Sequence, residues 1–259
     1  MTRSDAAPAT LARWLKRYGD GGPCSARLFL FPHAGGTAAL FRDWPRLLPP
    51  SVEPVAVQLP GRADRLREEP YTEMMRLVAE LTDVVEPLLD LPFACYGLSM
   101  GAKLCWAFAH RLRERALPMP LGLYLSGAAA PGLREGRTDW NVPDEVLVGY
   151  LRRMGGTPPE IFDHPELLAT LLPTLRADLT LVDTFAFEPE TPLDVPIRAF
   201  AGIEDVEGGP ERMRGWAGQT TRSFTLEAVP GGHFFDAVGE SRVAQVITED
   251  LRRHPGIRE

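Results

Sequence analysis

Apolar residues recur along this chain in two rhythms. Six short runs, ARLFLF (26–31), VEPVAVQL (52–59), PFACY (92–96), LGLYLS (121–126), PIRAFA (196–201) and SFTLEAV (223–229), are rich in apolar and β-prone residues, and each ends at a glycine or proline turn. Such runs predict buried strands of a largely parallel sheet. Between them the spacing becomes helical, over 72–89 with Met75, Val78, Ala79, Thr82, Val85 and Leu89 along one side, and again over 102–115. Strands alternating with helices predict a doubly wound α/β fold.

One stretch breaks the alternation. From 131 to 187 there is no convincing strand, while EVLVGYLRRM (145–154) and PELLATLLPTLRADLTLVDTF (165–185) carry leucine and valine at helical spacing. Asp163, two residues before Pro165, resembles an N-cap followed by proline in the first turn. About 55 residues would bury a poor core alone, so the segment is expected to rest on the main domain as a helical lid inserted between sheet strands. The expected division is an N-terminal extension at 1–25, a core at 26–130 and 188–255, and the lid at 131–187.

Composition narrows the function classes. A net charge of −7 on 259 residues argues against a general affinity for nucleic acid. No run approaches the roughly 18 consecutive apolar residues of a membrane helix, and the first residues lack the apolar centre of a signal peptide, so a cytoplasmic protein that does not enter a membrane is expected. Cys24, Cys95 and Cys105 form no CxxC pair, and neither a disulfide nor a metal site is expected. Lysine occurs only at 16 and 103, a bias that hints at a high-GC genome.

Candidate chemistry centres on YGLSMGA (96–102), where Gly97, Ser99 and Gly101 make the pattern Gly-x-Ser-x-Gly between a strand and a helix. The pattern alone arises by chance in loops. In a strand-turn-helix context the glycines permit a sharp turn that leaves the serine exposed above the sheet, as in α/β-hydrolases. A serine hydroxyl is a weak nucleophile and needs a base, an orienting acid and donors for an oxyanion. The backbone N–H of Met100, the residue after the serine, is one candidate donor. The N–H of Ala34, in the FPHAGG turn after the first predicted strand, is the other, although Gly35 and Gly36 could merely make that turn.

The order serine, acid, histidine argues against His33 as the base. Of the later histidines, His110 falls in the helix after the serine, His164 in the lid and His254 in the polar tail. His233, in the glycine-rich loop after the last predicted strand, is the expected base. Asp205, at the end of PIRAFAG, is the expected acid, with Glu204 the alternative.

With these residues placed, the chain resembles the type II thioesterases of polyketide and nonribosomal peptide biosynthesis, over about 14–252. The resemblance rests on FPHAGG, VQLPGR, YGLSMGA, MGGTP, LPTLRADL, AGIED and PGGHFF in order. It implies a triad of Ser99, Asp205 and His233, oxyanion donors at Ala34 and Met100, and hydrolysis of acyl thioesters from the phosphopantetheine arm of an acyl or peptidyl carrier protein. By the same resemblance the role is editing of an assembly line, without a metal or bound cofactor. Two departures stand out: Leu98 occupies a position where the family usually has histidine, and VEGGPERM follows the acid in place of a proline-bearing segment. A carboxylesterase acting on a free small molecule, an acyltransferase and a non-catalytic binding protein remain alternatives. The arginine groups 62, 65 and 67, 111, 113 and 115, and 152 and 153 could each dock an acidic carrier, or be ordinary solvated faces.

Overall fold

The computed structural model describes residues 3–19, 21–131, 140–185, 191–255 and 257. Every predicted strand forms: β2 (Ala26–Phe31), β3 (Val52–Val57), β4 (Phe93–Leu98), β5 (Leu123–Ser126), β6 (Ile197–Gly202) and β7 (Phe224–Val229). A further strand, β1 (Leu15–Arg17), follows helix α1 (Arg3–Trp14). The sheet runs β1-β3-β2-β4-β5-β6-β7, parallel throughout except that β1 lies antiparallel along β3. Part of the expected N-terminal extension therefore belongs to the sheet. Three residues including a lysine and an arginine carry no strand signature, and it is pairing with Val55–Val57 that makes them one.

Helices cover both faces, as buried parallel strands require. They are α2 (Met74–Val85), α3 (Met100–Glu114), α4 (Asp144–Met154), α5 (Pro165–Thr184), the single turn α6 (Pro210–Met213) and α7 (Ala237–Arg252). On α2 the buried side is Met74, Leu77, Val78, Leu81, Thr82 and Val85, so Met75, expected inside, is 39% exposed. The face turns because Met74 and Leu77 fill the layer against the sheet. Asp163 does not cap α5: it ends a 3₁₀ turn, Pro159–Asp163, and His164 is the N-cap, with no side-chain hydrogen bond.

α4 and α5 occupy the chain between β5 and β6; residues 132–139, 186 and 187 of the expected lid lie outside the described residues. Trp140, Leu147, Leu151, Leu172, Leu175 and Leu179 form a small apolar cluster between the two helices, separate from the clusters on either face of the sheet. The cysteines are free.

Candidate active site

The carboxyl ends of β2, β4, β6 and β7 converge on one crevice, where open α/β sheets bind ligands. At the end of β4 the chain turns sharply into α3. A Cβ on Gly97 would overlap the Gly101 carbonyl, and one on Gly101 would overlap the carbonyl of Phe31 on β2, so only glycine lets strand and helix approach this closely. Ser99 sits at the apex with φ 55° and ψ −116°, a strained conformation for a residue with a side chain. Its own amide donates to the Ser126 carbonyl on β5 at 2.8 Å, which pins the turn to the sheet.

His233, in the loop after β7, faces this serine. Its Nε2 lies 2.9 Å from Ser99 Oγ, and its Nδ1 lies 2.9 Å from Asp205 Oδ2 at the end of β6. Asp205 and His233 are both buried, whereas Glu204 is exposed. Burial alone would raise the Asp205 carboxyl, but the hydrogen bond and charge of His233 and the amides of Gly208 and Glu207 outweigh it and hold the group below its ordinary value. In a neutral ring whose Nδ1–H is donated to Asp205, Nε2 is the nitrogen left to accept from the serine hydroxyl.

His33 stands close by but is engaged elsewhere. Its Nδ1 lies 2.9 Å from the Ala34 carbonyl, and its ring packs edge-on against Phe234 at 4.7 Å. Burial pushes its imidazole down to about 4. The Ala34 peptide is part of the turn closed by the Gly36 amide on the His33 carbonyl at 2.9 Å, while Met100 opens α3, where first-turn amides have no partner within the helix. Ala34, Met100, Ser99 and His233 line one cavity together.

That turn is held from α5. Asp178 accepts from Arg62 at both oxygens, 2.7 Å each, and its Oδ2 also accepts from the Gly35 amide at 2.7 Å. Arg62 donates in addition to the carbonyls of Pro60 at 3.0 Å and Gly36 at 3.1 Å. Arg65 is buried as well, bonded to the Gln58 carbonyl and to Glu68, with its guanidinium 4.1 Å from the Trp14 ring centre. Two of the three arginines in the first candidate docking group are thus internal braces. The Arg62 brace is not visible in the local pattern of charge, because Asp178 lies 116 residues away.

Two cavities meet at the serine and share Ala34, Ser99, Tyr150 and His233. The first, about 410 Å³, is walled by apolar side chains such as Leu40, Leu66, Leu167, Leu171 and Leu175. The second, about 560 Å³, includes Lys103, Arg153, Asp183, Glu207 and Arg212. Sequence reasoning had no reason to single out Lys103 or Tyr150, whose places depend on how α3 and α4 pack. Leu98 lines neither cavity and packs instead against the apolar cluster on the opposite face.

Among the described residues there is no group of three or more His, Cys, Asp or Glu that could hold a metal ion, and no helix long and apolar enough to cross a membrane.

The thioesterase domain family model matches residues 26–251. The gramicidin S biosynthesis protein GrsT of Aneurinibacillus migulanus is 32% identical over 241 residues, a span of 93% of this chain and 94% of that protein. Among solved structures, the RedJ thioesterase from the prodiginine pathway of Streptomyces coelicolor superposes with a TM-score of 0.85 at 36% identity, covering 90% of this chain and 95% of that one. The type II thioesterase BorB from the borrelidin biosynthetic cluster gives 0.84 at 33% identity, covering 92% and 98%. The architecture is that of an α/β-hydrolase. A match that begins with β2 and ends in the last turn of α7 leaves no half of the sheet unaccounted for, and the chain belongs to the thioesterase domain family.

Proposed function

We propose that this enzyme hydrolyses acyl thioesters borne on the phosphopantetheine arm of an acyl or peptidyl carrier protein, with Ser99 as nucleophile, His233 as general base and Asp205 as the acid that orients it. Ser99 Oγ attacks the thioester carbonyl while its proton passes to His233 Nε2. The oxyanion is received by the N–H groups of Ala34 and Met100. Collapse breaks the carbon–sulfur bond and the thiol leaves with the proton from His233. A thiol of pKa about 8.5 is a good leaving group, so little help from an acid is needed. Water, deprotonated by His233, then attacks the acyl-serine and releases the carboxylic acid and the free serine.

The observation that carries this reading is the unbroken chain Asp205–His233–Ser99, two contacts of 2.9 Å ending on a serine in a strained turn. In this reading α4 and α5 form the lid over the core, and the carrier-bound arm enters beneath them. The kinship with proteins of gramicidin S, prodiginine and borrelidin biosynthesis supports a role in clearing acyl groups that stall a polyketide or nonribosomal peptide assembly line. The test is mass spectrometry of acylated carrier proteins after exposure to the enzyme. Loss of the acyl mass with wild type and its retention with Ser99→Ala is expected, a fall of about 10⁴-fold or more in rate. Undiminished hydrolysis by Ser99→Ala refutes the mechanism, and preference for a free aryl ester over every acyl carrier refutes the substrate.

A further inference from the structure

A half-buried lysine stands one helical turn beyond the serine. Lys103 lies in the first turn of α3, four residues after Ser99 at the N-cap, and both line the second cavity. Among the described residues its ammonium has no hydrogen bond and no ion pair. Asp183 is the charge that acts on it, but that carboxylate accepts from Trp140 Nε1 at 2.6 Å. Burial holds the Lys103 ammonium below its ordinary range, with Asp183 opposing the shift. The chain's other lysine, Lys16, is paired with Asp64.

A half-buried cation with no hydrogen-bonded partner among the described residues costs the fold stability, so its presence beside a nucleophile calls for a partner that arrives with the substrate. Among the described residues of this wall, Arg153 and Arg212 match Asp183 and Glu207 in number, and Lys103 is the charge in excess. A carrier-bound substrate offers two places for a negative charge, the phosphate of the arm and a carboxylate on the acyl group. The phosphate lies the whole length of the arm from the sulfur, too far to meet a residue one turn from Ser99. A carboxylate one or two carbons beyond the reacting carbonyl is within that reach.

We propose that Lys103 receives a carboxylate on the acyl group, so that the second cavity accepts dicarboxylic acyl thioesters of the malonyl or succinyl type. The proposal rests on Ser99 being the nucleophile, and it adds a class of substrate to that reading.

The test compares malonyl and butyryl thioesters of N-acetylcysteamine, which lack the phosphate, with wild type, Lys103→Met and Lys103→Arg. The malonyl-to-butyryl ratio of kcat/KM is expected to fall at least about tenfold in Lys103→Met and to stay within about threefold of wild type in Lys103→Arg. An unchanged ratio in Lys103→Met overturns the proposal, and so does a loss confined to substrates on a carrier protein, which would assign Lys103 to the arm. Calorimetric binding of malonyl-N-acetylcysteamine to Ser99→Ala, with and without Lys103→Met, reads the same contact without turnover. A weakening of about tenfold is expected, and equal binding overturns it. Hydrolysis that survives in Ser99→Ala would remove the serine mechanism and leave this binding comparison standing.

Discussion

Asp178 on α5 holds Arg62 in a two-pronged ion pair and, with the same Oδ2, takes the amide of Gly35, next to Ala34, which lines a cavity with the serine. The helix that walls the apolar cavity is therefore bolted to the turn proposed to receive the oxyanion.

Removing one half of this buried pair strands the other charge. Asp178→Ala is expected to lower stability by about 3–5 kcal/mol, read as a shift of the urea midpoint. Asp178→Asn keeps an acceptor for Gly35 and is expected to lose less. The double change Arg62→Met with Asp178→Leu should recover much of the stability but not kcat, because the turn loses its anchor. Recovery of both would show that the pair supports the fold alone.

The strain at Ser99 predicts a divergence between stability and turnover. Glycine adopts positive φ freely, alanine does not, and both lack the hydroxyl. Ser99→Gly and Ser99→Ala are expected to be equally inactive, with the glycine protein more stable by about 1 kcal/mol or more in thermal unfolding. Equal melting temperatures would mean that the turn is relaxed.

Gly101 predicts the opposite kind of failure. A methyl group there meets the backbone of Phe31, which cannot rotate away as a side chain would. Gly101→Ala is expected to cost about 3 kcal/mol or more and to displace α3 from β2, with loss of hydrolysis. Wild-type stability in this variant would refute the packing argument.

A further expectation concerns pH. His33 is held neutral in the fold down to about 4, against 6.5 for a free imidazole. The unfolded chain therefore binds the extra proton as pH falls between these values, and the folded state loses stability over that window, at most about 3 kcal/mol. Replacement by glutamine should flatten the dependence from pH 6.5 to 4. Asp205 acts in a lower window. Its depressed carboxyl contributes stability above the unfolded value of 3.8, and that contribution disappears as pH falls through its folded value. Chemical unfolding across pH with wild type and His33→Gln separates the two.

The sheet was legible because its strands are short, buried and apolar, and the spacing of glycines around Ser99 marks the turn in the sequence itself. What escaped was whatever depends on a distant partner. Leu15–Arg17 becomes a strand only beside β3. The Met74 and Met75 pair differ by one residue in phase, and packing rather than periodicity chose between them. Arg62 and Arg65 read as surface charge because arginine is ordinarily solvated, and only the fold brings Asp178, Gln58 and Trp14 around them. Leu98, which departs from the family pattern, lines neither cavity and packs against the apolar cluster that includes α7.

The contacts that define the site also set when it comes into being during folding. The Ser99–His233 hydrogen bond joins residues 134 apart in the chain, and the Asp178–Gly35 bond joins residues 143 apart. Closing such long loops is paid in chain entropy before any contact rewards it, so these links form after the local helices and the neighbouring strands. Regained hydrolysis is thus a late marker of refolding. It should trail the return of helical circular dichroism, and any species with most of its secondary structure but an unjoined β6–β7 end will be silent in the assay.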